Sequence, residues 1–340
     1  MKPRPGRLAR AAVAALSLAG LSAPSAAAPH LERRVLLMGT RATLAVRSPA
    51  RARGLAQLER MLRELERAEA ELSTWREDSL LSRLNAQPVG EPRSAADPLC
   101  DLLEELQGWR EETGGAFDPG VGRLLEAWGV RSGGRRPSPG ELAAALRDSG
   151  LRHLTVGRAP CRVGRGRDVA LDAGAFGKGE AIDRLYAAEP APAADPWLVD
   201  LGGQVAAGAS RGEPWPVALA HPSFRDRAAL QLRLDEGSLA SSGGSERDLA
   251  ADGARIGHVV DPRDGRTVAR DLSVAVWHER GLVADVLSTA LYVMGVEDGL
   301  AWAETRGIAA CFLLPRGPGV ELRATDAFRR RFALALTSSP

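Results

Sequence analysis

Of the 45 Lys and Arg residues in this chain, only Lys2 and Lys178 are lysines. Arg offers a planar fork of donors, whereas Lys offers a compact point charge on a flexible stem. A chain that writes Arg almost everywhere and Lys at 178 marks a position where a point charge serves better. Lys178 lies in the glycine-rich stretch Leu171-Asp172-Ala173-Gly174-Ala175-Phe176-Gly177-Lys178-Gly179. Such stretches let backbone approach a phosphate, and the helix expected to follow would offer free N–H groups to an anion. The stretch is not a P-loop, because Gly179 stands where Ser or Thr should follow the lysine. Nor is it the G-x-G-x-x-G of a dinucleotide fold. A tight turn with an exposed lysine is the plain structural reading of the same letters.

A second group sits in Ala284-Asp285-Val286-Leu287-Ser288-Thr289. Asp285 and Thr289 are four residues apart, one helical turn, so both face the same way, with Ser288 close to that face. A carboxylate with hydroxyls makes a hard-oxygen site of the kind Mg²⁺ accepts while keeping water and substrate phosphates in its shell. On spacing alone, a cap or a solvated face is the commoner meaning. His258 enters the turn Asp261-Pro262-Arg263-Asp264-Gly265, and a histidine beside a phosphate site is a candidate general base. Gly114 to Pro119 and Val199 to Gly203 are glycine-rich corners that carry the acids Asp118 and Asp200.

The elements that must hold these residues follow from periodicity. Helices are expected over Arg51–Glu71, Ser79–Asn85, Pro98–Thr113, Val121–Trp128, Glu141–Asp148, Glu180–Ala188, Leu282–Gly295 and Asp298–Arg306. Val35–Val46 reads as a strand pair, or as one strand with a bulge at Gly39. Short strands are expected at Leu154–Val156, Val169–Leu171, Leu198–Leu201, Val217–Ala220, Leu230–Leu234, Leu272–Trp277, Ile308–Leu314 and Phe332–Leu336. Helices early and strands late predict an α+β fold. Residues 1–28 read as a secretory signal: basic Lys2, Arg4, Arg7 and Arg10, an apolar run from Ala11 to Leu21, and Ala26-Ala27-Ala28 for cleavage. Leu21 occupies the place a lipidated cysteine would need, so a soluble exported protein without a stable membrane anchor is expected. A net charge of +2 leaves no nucleic-acid footprint. Cys100, Cys161 and Cys311 lack metal-ligand spacing; an odd number in an exported chain leaves at least one thiol unpaired, buried free thiols are the plain structural reading of all three, and their redox state stays open at this point.

Taken in order, these segments resemble the ApbE family of flavin transferases, Mg-dependent FAD:protein FMN transferases. The matching blocks are Met38-Gly39-Thr40, Ser73-Thr74-Trp75, Gly115 to Pro119, Trp128-Gly129, Leu171 to Asp183, Val199 to Gly203, Ser241-Ser242-Gly243, His258 to Gly265 and Ala284 to Gly295. The resemblance implies one α+β domain from residue 29 to 340, with FAD in a central cleft. It implies that Met38, Trp75, Ala116, Phe117, Asp118, Asp172, Lys178 and Val260 contact FAD. It implies a metal held by Asp285 and Thr289, with Ser288 able to join and Ala175 acting through its carbonyl. Two departures stand out. Trp75 occupies a position where Tyr is common, and Ser241 to Glu246 lacks the aromatic that often precedes the Glu. The expected reaction is attack by a Thr or Ser hydroxyl of an exported electron-transfer flavoprotein on the FMN-side phosphorus, with AMP leaving. His258 is the candidate base and Asp261 the second. A Mg-dependent FAD pyrophosphatase, or an FAD carrier without turnover, fits the same residues.

Overall fold

The computed structural model describes residues 30–334, apart from residues 210, 225, 245–247 and 252. The expected signal segment and Glu246 lie outside the described residues. The centre of the fold is an eight-stranded sheet in which every neighbouring pair is antiparallel. Its spatial order is His30–Leu37, Thr40–Arg47, Trp197–Leu201, Gln204–Gly208, Gly237–Gly243, Ser273–His278, Ala309–Arg316 and Gly319–Ala324. The α+β expectation holds, and the sheet draws strands from both ends of the chain. Met38 and Gly39 turn the first hairpin with φ of 52° and 70°, the left-handed pair of a two-residue turn. The region is therefore a strand pair and not a bulged strand.

Alternation along the strands separates two layers. In Ser273–His278, Val274 and Val276 face a core shared with the helices, while Ala275 and Trp277 face a second apolar cluster with Leu219, Leu232 and Phe328. This is the period-two pattern of a sheet covered on both faces. The helices Arg51–Leu72, Gly177–Ala188, Gly281–Met294 and Val296–Thr305 lie on the first face. The hairpin Trp215–Ala220/Ala228–Leu234 and the short helix Asp326–Arg331 lie on the other. Arg51–Leu72 buries Leu58, Met61, Leu65, Ala68 and Leu72, which recur at three- and four-residue steps.

Four expectations need correction. Val169–Leu171 forms no strand. Three of its backbone groups are bound instead by Asn85 Oδ1 (2.7 Å) and Asn85 Nδ2 (2.8 Å) at Leu171 and by Gly122 N (2.8 Å) at Ala170, which takes those groups out of any strand ladder. Phe332–Leu336 is not a strand as far as Leu334. Phe332 closes the Asp326–Arg331 helix and packs on Phe328, with ring centroids 4.8 Å apart, and residues 335–336 lie outside the described ones. The helix expected from Glu180 begins at Gly177, which puts Lys178 inside its first turn. Cys100 and Cys161 are not free thiols: they form a disulfide between the Asp97–Glu112 helix and the Arg162–Arg165 hairpin, and Cys311 alone stays a buried thiol. Ala95 N donates to Cys161 O at 3.1 Å, which places the two segments side by side. A separation of 61 residues gave the sequence no sign of that neighbourhood.

Candidate active site

Two helices meet where the sequence placed its charges. Gly179 and Gly281 face each other at the starts of Gly177–Ala188 and Gly281–Met294. A Cβ on Gly179 would stand 2.5 Å from Gly281 O, and one on Gly281 would stand 2.7 Å from Gly179 O. The absent side chains let the two backbones touch, which explains why glycine follows the lysine here. The contact brings Lys178 onto Asp285. Lys178 Nζ lies 3.1 and 3.3 Å from the two carboxylate oxygens, and Gly179 N–H donates to Asp285 Oδ2 at 3.0 Å. Asp285 is buried, and its side-chain neighbours are an ammonium and a helix N-terminus.

One turn further along the same helix, three hydroxyls converge. Ser288 Oγ donates to Asp285 O at 3.0 Å, Ser242 Oγ is 2.9 Å from Ser288 Oγ, and Ser242 Oγ is 3.5 Å from Thr289 Oγ1. Ser288 spends its proton on the carbonyl, so Ser242 is the donor in the pair with Ser288. Ser242 belongs to a block that the sequence matched, but no role was assigned to it. Its part shows only once the Gly237–Gly243 strand is laid against the helix.

These groups open into a cleft of about 1490 Å³ that runs from the first hairpin turn to the Gly281–Met294 helix. Met38, Trp75, Ala116, Phe117, Asp118, Asp172, Ala175, Lys178, His258, Val260, Asp285 and Thr289 all line it. Ser288 is fully buried behind Thr289, and Asp261 is turned away into its own loop, where its carboxylate takes Arg263 N (3.0 Å), Nε (2.9 Å) and Nη2 (2.7 Å). Ala116 and Phe117 are about 1% exposed. The Asp118 carboxylate accepts from Gly120 N (2.8 Å), Leu151 N (2.9 Å) and Arg110 Nε (2.9 Å), so its side chain shapes the cleft wall.

At the mouth, Trp75 is 71% exposed and carries the Arg131 guanidinium 4.6 Å from its ring centroid. Arg131 also pairs with Asp172 and hydrogen-bonds Thr74 O at 3.0 Å. An aromatic ring held by a cation on one face and open on the other suits stacking by a second flat ring. At the first hairpin, Met38 N–H donates to Glu69 at 2.5 Å, which fixes the left-handed Met38 backbone against the Arg51–Leu72 helix.

On the far wall, His258 Nδ1 lies 2.9 Å from Asp248 Oδ1, and Asp248 Oδ2 accepts from Arg255 Nε at 2.8 Å. Burial works against the charged form of Asp248, but the bonds from His258 and Arg255 overcome it and hold the carboxyl below the ordinary range. Asp200 behaves oppositely. Burial pushes its carboxyl up, the Gly202 and Gly203 N–H groups compensate only in part, and its Oδ1 has no hydrogen-bond partner among the described residues. Sequence reasoning missed Asp248, Arg131 and Glu69. Each is an isolated charge, and only the tertiary fold brings it to its partner.

The comparisons with known proteins fall on this same frame. Residues 38–312 match the family model described as the ApbE family. The chain belongs to the ApbE family. Among its relatives is the FAD:protein FMN transferase of Treponema pallidum (strain Nichols), 33% identical over 306 residues that cover 83% of this chain and 84% of that protein. Another is the FAD:protein FMN transferase of Vibrio cholerae, 30% identical over 278 residues covering 78% and 82%. Among solved structures, the apo flavinyl transferase ApbE of Pseudomonas stutzeri superposes with a TM-score of 0.77 at 30% identity, covering 91% of this chain and 98% of that one. The ApbE protein of Thermotoga maritima gives 0.79 at 27% identity, covering 89% and 99%. The ApbE resemblance read from ordered motifs and the α+β fold are thus borne out over nearly the whole length.

Proposed function

We propose that this ApbE-family chain transfers the FMN half of FAD to a Thr or Ser hydroxyl of an acceptor protein and releases AMP. The observation that carries the reading is the convergence of Lys178, Asp285, a hydroxyl cluster and His258 in one cleft of a chain whose relatives are FAD:protein FMN transferases. Breaking a pyrophosphate is phosphoryl transfer, a reaction driven by positioning and by neutralising charge on oxygen. Lys178 stands ready to set a point charge beside the pyrophosphate. Trp75, Met38 and Val260 offer apolar surface for the flat rings, and Asp172, paired with the Arg131 that covers Trp75, lines the same cleft.

The acceptor hydroxyl oxygen attacks the FMN-side phosphorus. A new O–P bond forms, the P–O bond to AMP breaks with its electron pair, and the hydroxyl proton passes to His258 Nε2. Measured from about pH 6 to 9, His258→Ala should slow transfer by about 10²–10⁴-fold, the usual share of a general base. A variant that matched the wild-type rate across that range would remove His258 from this role.

The donor set also fits a hard divalent cation. Asp285 supplies a carboxylate, Thr289 and Ser288 supply hydroxyls and Ala175 a carbonyl, which is the few-ligand environment Mg²⁺ takes when substrate phosphates complete its shell. Among the described residues no group of three or more His, Cys, Asp or Glu gathers as a metal site, and Asp285 is the one such side chain in this donor set. When bound, such an ion would add Lewis-acid neutralisation of phosphate charge. Lys178 already pairs with Asp285, so the ammonium and the cation would share one carboxylate.

Export to an oxidising compartment, with cleavage after residue 28, completes the reading. The Cys100–Cys161 disulfide supports it, because such bonds persist mainly outside the cytosol. Among the described residues no helix is long and apolar enough to cross a membrane. The acceptor would then be an exported electron-transfer flavoprotein.

A further inference from the structure

We infer that Asp248 is the positioning residue of His258, an inference that rests on the proposed role of His258 as base. Three observations carry it. The Asp248 side chain is only 4% exposed, so its carboxylate is committed to protein partners. A single oxygen, Oδ1, takes both the backbone N–H of His258 (3.1 Å) and its ring Nδ1 (2.9 Å), which fixes the imidazole by its main chain and its ring together. The other oxygen takes Arg255 Nε at 2.8 Å, and Arg255 reaches on to Asp271, so the carboxylate is itself held from behind.

An ionised carboxylate only accepts, so a neutral His258 must carry its proton on Nδ1. That leaves the Nε2 lone pair free, and Nε2 has no hydrogen-bond partner among the described residues. The geometry therefore selects the tautomer a base needs and stabilises the imidazolium that forms after proton transfer, as a carboxylate does behind a histidine base in general. Gly244 leaves room for this pair, since a Cβ there would stand 2.6 Å from Asp248 Oδ2 and 2.8 Å from Arg255 Nη2 and would shift those side-chain ends. Asp248 touches neither FAD nor the acceptor in this reading and acts only through His258.

The test begins with ¹⁵N NMR of the wild-type chain, with the His258 ring signals assigned by their loss in His258→Ala. This readout needs no activity. The expected result is a neutral ring protonated on Nδ1. Asp248→Asn, which keeps shape but loses charge, should lower kcat for transfer at least about tenfold while leaving KM for FAD within about twofold. Adding it to His258→Ala should cost nothing further. A wild-type ring protonated on Nε2 overturns the inference. So does an unchanged kcat in Asp248→Asn where His258→Ala is impaired. If His258→Ala itself transfers normally, the base assignment fails and takes the catalytic meaning of Asp248 with it, while the tautomer result reports on the pairing separately.

Discussion

Lys178 and Asp285 are 107 positions apart and meet at 3.1 Å. Each was visible in the sequence for its own reason: the lysine by rarity, the aspartate by its turn-spacing to Thr289. That they pair was not visible, because the contact depends on two glycines at helix starts. The pair gives a sharp prediction. Lys178→Ala should leave Asp285 as a buried carboxylate without its ammonium and should cut AMP release from FAD by at least about 10²-fold, the scale of a lost transition-state charge partner. Lys178→Arg should not rescue it, because the planar fork does not replace a point charge in that space. Rates of AMP formation at saturating FAD check both. Arg activity near wild type would show that only net charge matters there.

The contact of Gly177–Ala188 with Gly281–Met294 sets the site at the scale of elements. Gly179→Ala should drive the helices apart, lower stability by about 1–3 kcal/mol through overpacking, and lengthen the Lys178–Asp285 distance. Urea midpoints and FAD affinity should therefore fall together. The Pro139–Asp148 helix shows what a local motif supplies. Ser138 Oγ accepts from Glu141 N and the Glu141 carboxylate accepts from Ser138 N, a capping box legible in Ser138-Pro139-Gly140-Glu141. The bonds from Ser138, with Arg135 beside them, depress the Glu141 carboxyl to about 2. Its folded value is below its unfolded one, so the stabilisation is present above about pH 4.3 and is lost as pH falls through about 2. Glu141→Gln should thus be less stable than wild type at neutral pH, with the gap in urea midpoint closing on acidification below about pH 4. A gap unchanged by acid would exclude this cause. Helices of this kind were legible from spacing, although the expected start at Glu141 missed the cap at Ser138. Val169–Leu171 was not, because its composition reads as strand while three of its hydrogen-bonding groups are taken by Asn85 and Gly122.

At the scale of the whole molecule, the sheet order could not be read from the sequence. The Thr40–Arg47 strand lies beside Trp197–Leu201, and that pairing is settled by which faces bury, not by proximity in the chain. The ordered motifs still carried the family, since they mark the cleft and not the scaffold. The Cys100–Cys161 bond closes a long loop around the Asp97–Glu112 helix and the small sheet packed near it. In the chain-entropy account a loop of this length contributes about 4 kcal/mol. Reduction should therefore lower the melting temperature by several degrees, while Cys311, buried and with its thiol pushed far up by desolvation, should resist alkylation in the folded state.

The most direct test of the central claim incubates the chain from Pro29 onward with FAD, Mg²⁺ and a small acceptor domain bearing a target threonine. The acceptor is weighed by mass spectrometry while AMP is measured alongside. The account predicts AMP and FMN-bearing acceptor in equal amounts, both lost with Asp285→Ala. AMP with free FMN and an unmodified acceptor would contradict transfer and favour hydrolysis, and intact FAD throughout would contradict catalysis itself.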